Sequence, residues 1–344
     1  MSVPVIQKPP LAIVNVPDIS PRDDDFTALP LRHEVRWIGL SGLPANALER
    51  QVKGLRLSRY RAALQAAMAA RPGRVVISHL PLMSAAASEA MRLLHRDTPH
   101  LAFSFNFTDR PTGRRLRYFR HALSSVDQFA VYSEYEKRLY AELFDIAEDR
   151  FVPVVWTQTP PPVQADPGID VSRPYFCAIG GEGRDVELIL EAARIAGKSA
   201  RIVMIARPRM IAGLTLPDNV EALTDIPLAR TWAIASSSLG VVVPLISEDT
   251  CCGHITMVSA KQLGLPIATT RSFATREYVE GRGSIVECDA GDAIAFAGLL
   301  ERLADEQVEM RSVAQAARAH ELAFHDRAQW AVYVDRFLAE FAGR

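Results

Sequence analysis

The stretch Pro244-Leu-Ile-Ser-Glu-Asp-Thr-Cys-Cys-Gly-His-Ile-Thr-Met-Val-Ser-Ala-Lys-Gln-Leu-Gly-Leu-Pro266 decides the fold. Gly240-Val-Val-Val-Pro-Leu245 leads into it and Leu265-Pro-Ile-Ala-Thr269 closes it. Both runs are short, rich in branched residues and free of polar alternation, the pattern of strands buried on both faces of a parallel sheet. Between them an acidic, Gly-containing loop opens a helix. Such a loop, at the carboxyl end of a strand, offers free N–H groups to an anion.

Thr250, Gly253, His254 and Thr256 surround that helix start, where backbone N–H groups, the helix dipole and hydroxyls together suit a diphosphate. A purely structural reading stands beside it: Thr250 or Thr256 caps the helix, Gly253 permits the turn, and His254 is a capping or partly buried ring. Cys251 and Cys252 read as small core fillers.

Outward from this motif, strands and helices alternate in both directions. Towards the amino terminus, apolar runs at 11–16, 35–40, 75–78, 101–105, 129–132 and 151–156 are separated by helical patterns near 56–71, 84–96, 114–125 and 134–145. Asp18 to Asp25 has no helical periodicity and reads as a loop crossover. Pro160-Pro-Pro162, Pro167-Gly168 and Pro174 then mark a linker over 157–174. The alternation restarts with Tyr175-Phe-Cys-Ala-Ile-Gly180, a helix over 185–196, strands at 201–206 and 220–224, and a helix near 228–238. After the motif come helix from 292 to about 324 and a separate amphipathic helix from Arg327 to Phe341. The expected fold class is therefore α/β: two Rossmann-like, doubly wound domains facing a cleft. The expected boundaries are 1–156, 157–174, 175–325 and 326–344.

Composition agrees with two soluble domains: 344 residues, 49% hydrophobic, 23% charged, formal net charge −1. That balance excludes a disordered chain and a general nucleic-acid binder. It conceals an asymmetry, since residues 1–155 hold 21 Lys+Arg against 16 Asp+Glu. Four cysteines without Cys-x-x-Cys clips suit a reducing cytoplasm, and no signal-peptide pattern or long apolar run is expected to carry the chain into or across a membrane.

Gly180-Gly-Glu-Gly-Arg-Asp185 follows a strand and opens a helix, so Gly181, Gly183 and the Arg184 guanidinium suit a pyrophosphate. Arg207, at a neighbouring strand's carboxyl end, is a further candidate, ahead of Arg209. Over residues 75–341 the order of pieces resembles the sugar-nucleotide-dependent glycosyltransferases of the GT-B fold, especially the bacterial group that builds polysaccharides. The resemblance rests on Tyr175 to Ala192, on Leu263-Gly-Leu-Pro-Ile-Ala-Thr-Thr270 and on Arg276-Glu-Tyr-Val-Glu-Gly-Arg-Gly283.

The resemblance implies a donor nucleotide held by the second domain, an acceptor held by the first, and a C-terminal helix crossing back to the first. It places Arg184 where the family usually has a diphosphate-binding Lys. It also places Ser259 where the family has the second of two glutamates. Glu248 and Asp249 are then the carboxylates available to ribose hydroxyls. Asp109 matches the acid of the family's "H-D" element and is the expected base for an inverting transfer, with His79 the second candidate. As a turn former before Pro111, Asp109 also has an ordinary structural reading.

The implied donor is a nucleotide diphosphate sugar, used without a metal or other cofactor. The implied acceptor is a lipid-linked or polysaccharide glycan of the bacterial envelope. Alternatives are a sugar-nucleotide epimerase of the same fold and a noncatalytic nucleotide-binding scaffold. Arg110, Arg114, Arg115, Arg117 and Arg120, interleaved with Leu116, Phe119 and Leu123, make a basic amphipathic helix. It suits an anionic membrane surface, on the inner face of the plasma membrane, or equally a solvated charged face.

Overall fold

A computed structural model describes residues 10–17, 25–51 and 57–341, which leaves most of the expected crossover at 18–25 outside the described residues. The chain divides into two compact units. One runs as far as Val155 and takes in the C-terminal helix; the other spans Trp156–Asp326.

In the first unit the elements follow in the order β1 (Leu11–Val16), β2 (Val35–Gly39), α1 (Ala47–Gln51), α2 (Leu57–Ala69), β3 (Arg74–His79), α3 (Pro81–Leu93), β4 (His100–Phe103), α4 (Gly113–Leu123), β5 (Gln128–Val131), α5 (Glu134–Phe144) and β6 (Phe151–Pro153). Six parallel strands lie in the order β2-β1-β3-β4-β5-β6. From β2 onward every crossover steps in the same direction, so the right-handed rule places α2, α3, α4 and α5 side by side on one face. Successive contacts along α2, α3, α4 and α5 agree.

The second unit continues with β7 (Phe176–Gly180), α6 (Val186–Ala196), β8 (Ile202–Ala206), α7 (Pro208–Ile211), β9 (Val220–Leu223), α8 (Leu228–Ser236), β10 (Val241–Val243), α9 (His254–Gln262), β11 (Ile267–Thr270), α10 (Arg276–Val279), β12 (Ile285–Cys288), α11 (Ala293–Asp305) and α12 (Gln307–Phe324). Its sheet is parallel too, ordered β12-β11-β10-β7-β8-β9. After β9 the chain returns across β7 to lay down β10, so strand order reverses between β7 and β10. A crevice outside the carboxyl ends of those two strands is where such sheets hold ligands.

Both sheets bury continuous apolar strands, as in β10, where Val241, Val242 and Val243 are fully buried. The strand β12 and the short helices α1, α7 and α10 add to the elements expected from the sequence. The Pro-rich stretch 157–174 has no helix or strand and is laid against the second unit, where Gln164 N–H donates to Ala229 O at 3.2 Å.

α13 (Ala328–Phe341) belongs to the first unit because its apolar stripe, including Trp330, Val334, Phe337 and Leu338, is buried there. Trp330 meets Phe103 edge to face at 4.9 Å, and its indole N–H donates to Val155 O at 2.9 Å. Asp335 accepts the Arg32 and His33 N–H groups at 2.8 and 3.1 Å.

Candidate functional site

Two loops meet at the strand reversal of the second unit. Loop 181–185 leaves β7, and loop 244–253 leaves β10. They are stitched through the backbone: Asp185 N–H donates to Pro244 O at 3.2 Å, Ile246 N–H to Gly183 O at 3.3 Å, and Arg184 forms a bridge with Leu245. Gly183 takes φ of 73° and Gly253 φ of 105°, values that glycine reaches without strain.

Arg184 lies at the centre. Its guanidinium donates to Ile179 O at 3.3 Å, Cys252 Sγ at 3.5 Å and Thr256 Oγ1 at 3.1 Å, so it spans from the end of β7 to the first turn of α9. The residue is 9% exposed, and among the described residues no carboxylate pairs with it. Burial presses its pKa down from the ordinary arginine value, with Cys252 opposing.

The start of α9 is uncapped. Gly253 occupies the N-cap position and no side chain caps the helix. Thr250, one of the expected caps, instead accepts Ser247 N–H at 3.1 Å inside its own turn. His254 is buried, and its Nε2 donates to Ala274 O at 3.0 Å; burial lowers its pKa to about 4, so the ring is neutral. That nitrogen is therefore committed to the loop after β11 rather than to a phosphate.

Glu248 and Asp249 are exposed on the same loop. A neighbouring surface cavity of about 370 Å³ is lined by Glu248, Arg271, Ser272, Phe273 and Arg276 among others. Ser259 is buried and its hydroxyl accepts a hydrogen bond from the Gln158 side-chain amide. Exposed Arg207 pairs with Glu182 at 3.0 Å, and Arg209 pairs with the same carboxylate. Both cations thus stand beside loop 181–185 with one acid between them. Among the described residues no three His, Cys, Asp or Glu side chains converge as metal ligands.

In the first unit the strand order reverses between β1 and β3, and His79 ends β3 at that point. Its Nε2 donates to Asn15 Oδ1 at 2.8 Å, and burial lowers its pKa to about 3, which makes it a weak base. Asp109 stands on the exposed segment after β4, with no hydrogen bond or ion pair among the described residues. The structure brings Gly181, Gly183, Arg184, Arg207, Thr250, Gly253, His254 and Thr256 into one neighbourhood. Asp109 and His79 belong to the other unit.

No protein-family model and no curated protein sequence matches this chain. Solved structures do. HepE of Anabaena in complex with UDP-glucose is 12% identical, covers 95% of this chain and 98% of its own, and has a TM-score of 0.67. Sucrose-phosphate synthase of Thermosynechococcus elongatus is 15% identical over 96% of this chain and 89% of its own, with a TM-score of 0.68. A Rickettsia africae glycosyltransferase is 12% identical over 96% and 98%, with a TM-score of 0.65. The chain has the GT-B fold.

Within this GT-B chain, sequence reasoning passes over Cys252 as an element of the site. Cys252 receives the Arg184 guanidinium, and its thiol donates to Glu182 O at 3.5 Å, linking the two loops. Its place inside the Gly-flanked loop is the only sequence signal. It also passes over Phe273, an aromatic residue 46% exposed at the cavity beside Glu248. The GT-B resemblance quoted for Arg276 to Gly283 stops three residues short of it.

Proposed function

We propose that the protein is a glycosyltransferase that moves a sugar from a nucleotide diphosphate donor, held at the strand reversal of the second unit, to an acceptor held by the first. The observation that carries this reading is Arg184, a buried cation without a carboxylate, aimed at an uncapped helix start. A buried charge is ordinarily paired, and arginine cannot neutralise itself by losing a proton. A diphosphate supplies the missing anion, with the α9 N–H groups as further donors. As the donor bond breaks, negative charge grows on the leaving diphosphate, and these fixed groups stabilise it; Arg207 adds to the field and no metal is required.

Glu248 and Asp249 are assigned to donor hydroxyls. Asp109 is assigned as the base that takes the acceptor proton, because its carboxylate is exposed while His79 is buried with its Nε2 held by Asn15. The acceptor is proposed to be a lipid-linked or polysaccharide glycan of the bacterial envelope. HepE is in complex with UDP in one structure and UDP-glucose in another, which supports a UDP-sugar as the first donor to try.

The test is donor hydrolysis across common sugar nucleotides, read as free nucleoside diphosphate, with binding measured in parallel. Turnover that Asp109→Asn abolishes while nucleotide binding persists is the expected result. Binding without turnover would instead favour a noncatalytic scaffold, a reading supported by Ser259, whose hydroxyl faces Gln158 where the family has a glutamate.

A further inference from the structure

The solvent face of α2 is apolar. Its exposed residues are Tyr60, Leu64 and Met68, spaced four apart along one stripe, at 49%, 45% and 50% exposure. A helix at a protein surface normally turns polar residues outward. Here Ala62, Ala63, Ala66 and Ala67 pack inward, and the larger apolar side chains face away from the core.

The stripe lies across α3 from the basic helix. α2, α3 and α4 lie side by side on one face of the sheet. Tyr118 of α4 is close enough to Tyr60 that, after burial, Tyr60 and Glu89 help push its phenol up to about 12. On α4, Arg114, Arg115 and Arg117 are exposed, and none pairs with a carboxylate among the described residues. The apolar side of α4 itself is spent: Phe119, Ala122 and Leu123 belong to the first unit's core. A basic α4 that inserts its own apolar face is therefore excluded, and the inserting element has to be another.

We infer that α2 and α4 form a composite membrane-docking face, in which Tyr60, Leu64 and Met68 enter the headgroup boundary of an anionic phospholipid bilayer and Arg114, Arg115 and Arg117 hold its phosphates. Charge complementarity selects this occupant, since arginines without a carboxylate partner near an apolar stripe match an anionic, amphipathic surface. Attachment is peripheral, as no helix among the described residues is long and apolar enough to span a bilayer. The inference stands apart from the donor site.

Flotation tests it, using phosphatidylcholine vesicles with and without phosphatidylglycerol. Wild type is expected to float only with the anionic vesicles. Both Tyr60→Ser/Leu64→Ser/Met68→Ser and Arg114→Ala/Arg115→Ala/Arg117→Ala are expected to lower the partition coefficient by about tenfold or more. Both variants should still melt cooperatively, because the altered side chains are about half exposed or more. A Tyr60→Trp variant adds a direct readout: brominated lipid should quench its added fluorescence. Flotation unchanged by the serine variant overturns the inference. So does a lack of quenching, or a dimer of wild type that the serine variant dissolves, which would assign the stripe to a second copy.

Discussion

Arginine keeps its charge wherever the fold puts it, so the energetic sign of Arg184 depends on whether an anion is present. Without ligand, the buried guanidinium has only a carbonyl, a thiol and a hydroxyl as partners. Desolvation is then incompletely offset. We expect Arg184→Met to raise the unfolding free energy of the ligand-free protein by roughly 1 kcal/mol or more, measured by urea denaturation. A loss of stability would mean that the charge is already satisfied. Gly180 controls the same side chain at one remove, because a Cβ there would fall 2.3 Å from Arg184 Cγ. Gly180→Ala should therefore weaken nucleotide binding with Arg184 intact. The sequence shows a cation in a Gly-rich loop before a helix. It does not show the burial, which arises when loop 244–253, distant in sequence, folds over it.

At the scale of elements, the periodic patterns near 114–125 and 134–145 are legible as helices, and Ser133 caps the latter, accepting Glu136 N–H at 3.1 Å. What a helix does with its faces is less legible. The helix of Leu116, Phe119 and Leu123 reads equally as lying on a membrane or as turning a charged face to solvent, and its packing is what assigns Phe119 and Leu123 to the core. The packing of α9 against α12 conceals another feature, a buried ionic cluster in which Lys261 and Arg282 pair with Glu321 at 2.7 and 2.8 Å. Burial alone would raise the Glu321 pKa, but His325, Lys261 and Arg282 hold it down to about 2. Glu321→Gln should cost about 3–5 kcal/mol in urea denaturation, because it leaves Lys261 buried without its counter-charge. Its sequence neighbourhood shows an unremarkable helix, since the partners lie in three separate elements.

For the whole molecule, alternation of strand and helix is enough to read two doubly wound sheets, because the pattern is set by burial on both faces. Strand order is not legible, and it is strand order that locates both reversal points and hence the site. The fold also carries a pH signature. Burial lowers His79 and His100 to about 3 and His254 to about 4, from 6.5 when exposed. Below pH 6.5 the unfolded chain takes up protons that these rings refuse in the fold. Stability is then fully present above that pH and falls as pH drops towards 4, by roughly 1.4 kcal/mol per pH unit for each ring. Urea midpoints at pH 7 and pH 5 should differ accordingly, and His254→Gln should reduce the difference.

Calorimetric titration of UDP, GDP and ADP into wild type and Arg184→Met shows whether Arg184 and the α9 start form a diphosphate site. At least one nucleotide should bind wild type, and the variant should bind it about ten to a hundred times more weakly. Equal affinity in the two proteins, or no binding to wild type, would contradict that assignment.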